Sequence, residues 1–148
     1  MDELTNGFQD ILNLIIKARK NALRKVNEEL ILLYWNVGEY VSKQIEESTW
    51  GEAYVDELAK YISENKPTLK GFSRRGIYRM VQFYNSYKGN EFVSALLTQI
   101  SWTNHLAIMS ASKSDEEREF YIKLCIKERY SSRELKRQLE SGYFERYM

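Results

Sequence analysis

The sequence predicts an all-α protein of six or seven helices, with a long first helix and a helix-turn-helix-like segment. Three observations predict it. Apolar residues recur at steps of three, four or seven over most of the chain, which is the helical period. The 148 residues include one proline and seven glycines, too few breakers for the many turns of a sandwich or barrel. No run has a strand-like alternation that outweighs its helical alternative. The length suits one domain with a real core, and 43% hydrophobic with 29% charged residues is a globular composition rather than a disordered one. A single helical domain over residues 1–148 is therefore expected.

Phe8, Leu12, Ile15, Ala22, Val26, Leu30, Leu33, Val37, Val41 and Ile45 place the first helix over about residues 5–48. Thr5 or Asn6 would cap it, and Gly51 lies just beyond its end. Some forty residues at 1.5 Å each reach roughly 60 Å, against about 40 Å for a compact domain of this size. The helix must either break, with Gly38 the natural place, or project one end. Its N-terminal half carries Ile11, Leu12, Ile15 and Ile16, an apolar surface of the kind that marks an interface. A homo-oligomer built on this helix is expected.

The second helix runs from about Glu52 to Asn65 on a stripe of Tyr54, Leu58, Tyr61 and Ile62, and Pro67 ends it. After a loop over Pro67–Phe72, Ser73 caps a third helix to about Lys88, with Ile77, Met80, Val81 and Tyr84 facing inward. Gly89 and Asn90 stop it. A short apolar helix follows over Glu91–Gln99, then another in SWTNHLAIMSAS. Ser114 with Glu117 reads as a capping box opening a helix to about Glu128. Ser131 or Ser132 caps the last helix, which Gly142 ends.

Much chemistry is missing. The single cysteine, Cys125, has no internal disulfide partner and reads as a small buried hydrophobe. The single histidine, His105, has no ligand cluster at metal-binding spacing and reads as a hydrogen-bonded structural residue near Trp102. Glu134-Leu135-Lys136 spells the E-x-K of a metal-dependent nuclease, but on an amphipathic helix and without an upstream Asp. No glycine-rich phosphate loop or nucleophile elbow is present. No catalytic residue, metal or cofactor is expected. The acidic start lacks the pattern of a signal peptide, and no apolar run reaches the ~18 residues of a membrane span. A cytoplasmic protein with no membrane partner is expected.

Net charge is +1, but the charge is unevenly distributed. Residues 28–64 hold two basic and nine acidic residues, and residues 65–90 hold six basic and no acidic ones. On a helix capped by Ser73, Arg75, Arg79, Gln82 and Ser86 fall opposite the inward face, with Tyr78 and Asn85 flanking them. Lys70 and Arg74 sit at the helix start, where free N–H groups favour anions, and Lys88 lies at the far end. Arginines beside Gln, Asn, Ser and Tyr suit a groove-reading helix. Lys70, Ser73, Arg74, Arg75, Tyr78, Arg79, Gln82, Asn85 and Lys88 are therefore the candidate nucleic-acid contacts, with duplex DNA as the partner. The competing reading is a solvated basic face neutralised by Asp56, Glu57 and Glu64 of the preceding helix.

Five segments in order, NEELILLYWNVGEYV, GFSRRGIYRMVQFY, QISWTNHLAIM, REFYIKLCIKERYSSRELKRQLES and YFER, resemble the N-terminal domain of the YhcG-type bacterial family, long labelled as of unknown function. The resemblance covers roughly Phe8 to Arg146. It implies a DNA-binding, helix-turn-helix-like module that precedes a C-terminal domain resembling PD-(D/E)XK nucleases, which is absent from these residues. The family pattern falls on Gly71, Phe72, Ser73, Ile77, Met80, Phe83 and Tyr84, which read as packing and capping residues. The chain departs from the family at Gly76, where asparagine is common, and at Tyr130, where tryptophan is common. The resemblance implies a non-catalytic module that positions a nuclease-like domain on nucleic acid, or else an oligomerisation module of such a complex.

Overall fold

The computed structural model describes residues 2–47 and 51–148, and these form helices joined by short turns, with no strand among them. The helices are α1 (Asp2–Glu47), α2 (Glu52–Asn65), α3 (Arg74–Tyr87), α4 (Glu91–Ser94), α5 (Trp102–Ala111), α6 (Asp115–Glu128), α7 (Ser132–Glu140) and α8 (Tyr143–Tyr147), with a 3-10 turn at Leu97–Gln99. The count among the described residues exceeds the expected seven by one. Gly142 takes the left-handed conformation (φ 67°) and, rather than ending the structure, starts α8. The predicted Glu91–Gln99 helix is split. The N–H groups of Leu96, Gln99 and Ile100 bond three residues back, which tightens the chain after α4 and buries Val93 and Leu97 together.

α1 is continuous for 46 residues, about 70 Å at 1.5 Å per residue. It does not break at Gly38. A Cβ there would sit 2.1 Å from the Met80 carbonyl oxygen, so Gly38 is where α1 and α3 cross most closely. Glycine serves this approach between helices rather than a kink. Residues 2–26 are exposed throughout, and burial begins only at Asn27, which anchors the turn before α5 by donating to the carbonyls of Thr98 and Ile100 at 3.0 and 3.1 Å. Beyond it, Ile31, Gly38, Val41 and Ser42 are buried, with Tyr34 and Trp35 packed against the core. The stripe read along the sequence joins this face only toward its C-terminal end, where Val41 is buried and Val37 and Ile45 are partly covered, while Leu30 and Leu33 stay exposed. The expected caps Thr5 and Asn6 lie inside α1, which starts at Asp2.

Two clusters form the interior. The larger gathers Ile31, Phe83, Tyr87, Ile108, Tyr121, Ile122 and Leu135 from five helices. The smaller joins Val41, Val55 and Ile77 from α1, α2 and α3. α3 contributes to both and is the strut between them. Ser73, Asn90, Ser101, Ser114 and Ser131 each accept a hydrogen bond from a first-turn N–H, contacts typically worth about 1 kcal/mol apiece. Glu134 returns a bond to the Ser131 N–H at 3.1 Å, completing a capping box that accounts for this residue of the E-x-K match. That bond holds its carboxyl below the usual range. Glu117 instead accepts from the Lys113 N–H at 2.8 Å, one residue before the cap.

Candidate nucleic-acid interface

α3 is placed by burying Ile77, Met80, Phe83 and Tyr87. Val81 and Tyr84, expected to face inward, are partly covered, Val81 against the smaller cluster and Tyr84 against Trp35. The opposite side carries Arg75, Arg79, Gln82 and Asn85 toward solvent or a half-buried edge. The strand-free connection at residues 66–73 brings Gly71 (φ 90°) close to α3. A Cβ at Gly76 would lie 2.1 Å from the Gly71 carbonyl oxygen. Any side chain at position 76 would push this loop away.

The basic residues are not equally available. Arg74 pairs through Nε with Asp56 Oδ1 of α2 at 2.6 Å, and its guanidinium lies 5.1 Å from the Tyr78 ring centroid. Among the described residues it is the single cation of the 65–90 window with a carboxylate partner. The neutralising reading thus holds for Arg74 and Asp56 but not for Arg75, Arg79 or Lys70. At the far end, Lys88 lies 5.6 Å from the Tyr84 ring centroid. It shares a shallow groove with Asp115, Arg118 and Glu119, so this end is mixed in charge while the N-terminal end is basic.

The polar candidates are largely occupied. Ser73 Oγ accepts from the Gly76 N–H at 3.1 Å, which leaves its hydroxyl proton to donate. Tyr78 was expected to flank the exposed row, but its hydroxyl is buried without a hydrogen-bond partner because the ring packs on the smaller cluster. Gln82 Oε1 accepts from Arg79 Nη1 at 3.1 Å, and Asn85 Oδ1 accepts from Ser42 Oγ of α1 at 3.1 Å. Reading adenine needs both ends of an amide side chain, and in both residues the oxygen end is taken. The row is better suited to phosphate than to base edges.

Other candidate chemistry resolves into packing. His105 is buried, its Nε2 lies 2.7 Å from the Leu97 carbonyl oxygen, and its ring and that of Trp102 both pack on Phe83. Cys125 is buried and burial pushes its thiol up. Among the described residues, no group of three or more His, Cys, Asp or Glu side chains could hold a metal ion, and no helix is long and apolar enough to cross a membrane.

The DUF1016 N-terminal domain model matches residues 10–146, nearly the whole chain. The protein belongs to the DUF1016 N-terminal domain family. Searches of curated proteins and of solved structures give no match. In this DUF1016 N-terminal domain, the GFSRRGIYRMVQFY segment is the basic helix with its cap. The SWTNHLAIM and SSREL segments supply His105 and Leu135 to the larger cluster.

Proposed function

We propose that the chain is a non-catalytic module that binds nucleic acid, duplex DNA first, through the exposed side of α3, and so positions a nuclease-like domain joined to it. One observation carries the proposal. Arg75 and Arg79 stand one turn apart on α3 with Lys70 beside the helix start, and none of the three has a carboxylate partner among the described residues. With the amide oxygens of Gln82 and Asn85 engaged, binding is expected to be governed by phosphate and tolerant of sequence.

Three free cations would release about three counterions, so affinity should fall with salt at a log–log slope near −3. Arg75→Ala with Arg79→Ala should weaken binding equally on unrelated duplexes and flatten the slope by up to about two units. Folding should be unaffected, because Arg75 is exposed and Arg79 bonds only to Gln82. Gel-shift titrations of both proteins at two salt concentrations test this. Equal binding by the folded double variant, or none by the wild type at ~50 mM salt, would overturn it.

A second reading, self-association through α1, is favoured by one specific observation. Phe8, Ile11, Leu12 and Ile15 remain 47–62% exposed, an apolar surface of the kind that soluble chains cover with a partner.

A further inference from the structure

The N-terminal half of α1 has two unlike sides. Projected back at about 100° per residue, the side that meets the rest of the fold through Ile31, Tyr34 and Gly38 becomes Asn13, Ile16 and Lys20, with Lys17 and Arg24 alongside, all exposed and all but Ile16 polar. The apolar stripe lies on the other side. Leu4, Phe8, Ile11, Ile15, Ala18 and Ala22 are all exposed and follow one another at alternating steps of four and three, the spacing of a coiled-coil seam. The chain's own fold is on the wrong side of α1 to cover them.

We propose that a second copy of the chain covers this stripe, with the two α1 helices antiparallel about a two-fold axis at Asn13. The proposal rests on the self-association reading above and adds the partner's direction and register. Size matching selects the register. With the axis at Asn13, Ile11 faces Ile15 of the second copy, Phe8 faces Ala18 and Leu4 faces Ala22. Large residues meet small ones and medium ones meet their like, so the layers fill evenly. Leu12 and Leu14, exposed on either side of the seam, each meet their own counterpart beside the axis. A parallel in-register pair would instead stack Phe8 on Phe8 and leave thin layers at Ala18 and Ala22.

The pairing is isologous and closed, as a two-fold dimer requires.

The test uses the full chain. Light scattering at tens of micromolar should give a dimer. Ile11→Glu with Ile15→Glu should raise the dimer dissociation constant at least a hundredfold without altering the helical circular dichroism, since both side chains are exposed. Cys125 is buried, so introduced thiols report direction. On mild oxidation, Leu14→Cys should cross-link two copies beside the axis, and Leu4→Cys should not, because its counterpart lies at the far end of the seam. A monomeric wild type would overturn both self-association and this pairing. A dimer that survives the double glutamate variant would place the interface elsewhere and overturn the pairing. A dimer that cross-links through Leu4 but not Leu14 would leave self-association standing and overturn the antiparallel arrangement.

Discussion

Phe83→Ala is expected to remove about 3–5 kcal/mol of stability, the usual loss for a large aromatic cut back in a core. Phe83 is fully buried at the middle of α3. Its ring meets Trp35 of α1 at 5.8 Å, Trp102 and His105 of α5 at 5.1 and 4.8 Å, and Tyr87 of its own helix at 5.6 Å. The Trp35, Tyr87 and Trp102 contacts are edge-on, a geometry that adds roughly 0.5–1.5 kcal/mol per pair beyond area burial. Three of those four partners lie on other helices, so the cavity cannot be filled by a shift within α3. Against a typical total of about 5–15 kcal/mol, the loss is a large fraction, and the melting temperature should fall by roughly 6–20 °C. Arg75→Ala is the control, since an exposed substitution of this kind usually stays within about 0.5 kcal/mol. Thermal melts by circular dichroism measure both. A Phe83→Ala protein that melts with the wild type would mean that the larger cluster is not packed as described.

Much of this core was legible in the sequence, and the parts that were not share a cause. Ser73, Ser114 and Ser131 mark helix starts because capping is a local interaction within four residues. Ile77 and Met80 follow from the helical period. Phe83 and Tyr87 escaped that period because α3 is covered by α1 on one side and α5 on another, so its buried arc is wider than a single stripe. α1 shows the reverse error. It carries two apolar faces, and periodicity finds both without saying which one the fold covers. The stripe read along the sequence passes through Leu30 and Leu33, which stay exposed, and through Val41, which is buried, while Ile31 and Gly38 complete the covered face. Gly38 and Gly76 could not be explained from sequence, because the carbonyls that forbid a side chain there belong to Met80 and Gly71.

The candidate interface divides in the same way. Which residues are basic, and that they share a helix with its cap, was written in the charge pattern. What those residues already hold was not. Arg74 is drawn off by Asp56 of α2, and Asn85 is engaged by Ser42, a residue 43 positions earlier. Both contacts depend on how α1 and α2 lie across α3. They leave Arg75, Arg79 and Lys70 as the part of the row on which phosphate binding rests.

Acid is expected to destabilise the protein through His105. Its Nε2 lies against the Leu97 carbonyl oxygen, which can only accept, so the ring's single proton sits on Nε2. Nδ1 is buried with no hydrogen-bond partner. A second proton would have to go there, creating a buried cation with an unsatisfied N–H. Burial accordingly lowers the pKa from 6.5 to about 4, and the bond to Leu97 offsets only part of that. Because the folded value lies below the unfolded one, the unfolded chain takes up the proton first as pH falls. The contribution is fully present above about pH 6.5, declines below it, and is gone once the folded ring itself protonates near pH 4. The difference corresponds to about 3 kcal/mol, comparable to the loss from Phe83→Ala. His105→Gln keeps an N–H donor for Leu97 but cannot take up a proton in this range. It should cost stability at pH 7 through poorer packing on Phe83, yet lose less than the wild type between pH 7 and pH 4.5. Urea midpoints for the two proteins at both pH values measure the difference. Parallel declines would show that other groups, and not the buried imidazole, set the acid limit.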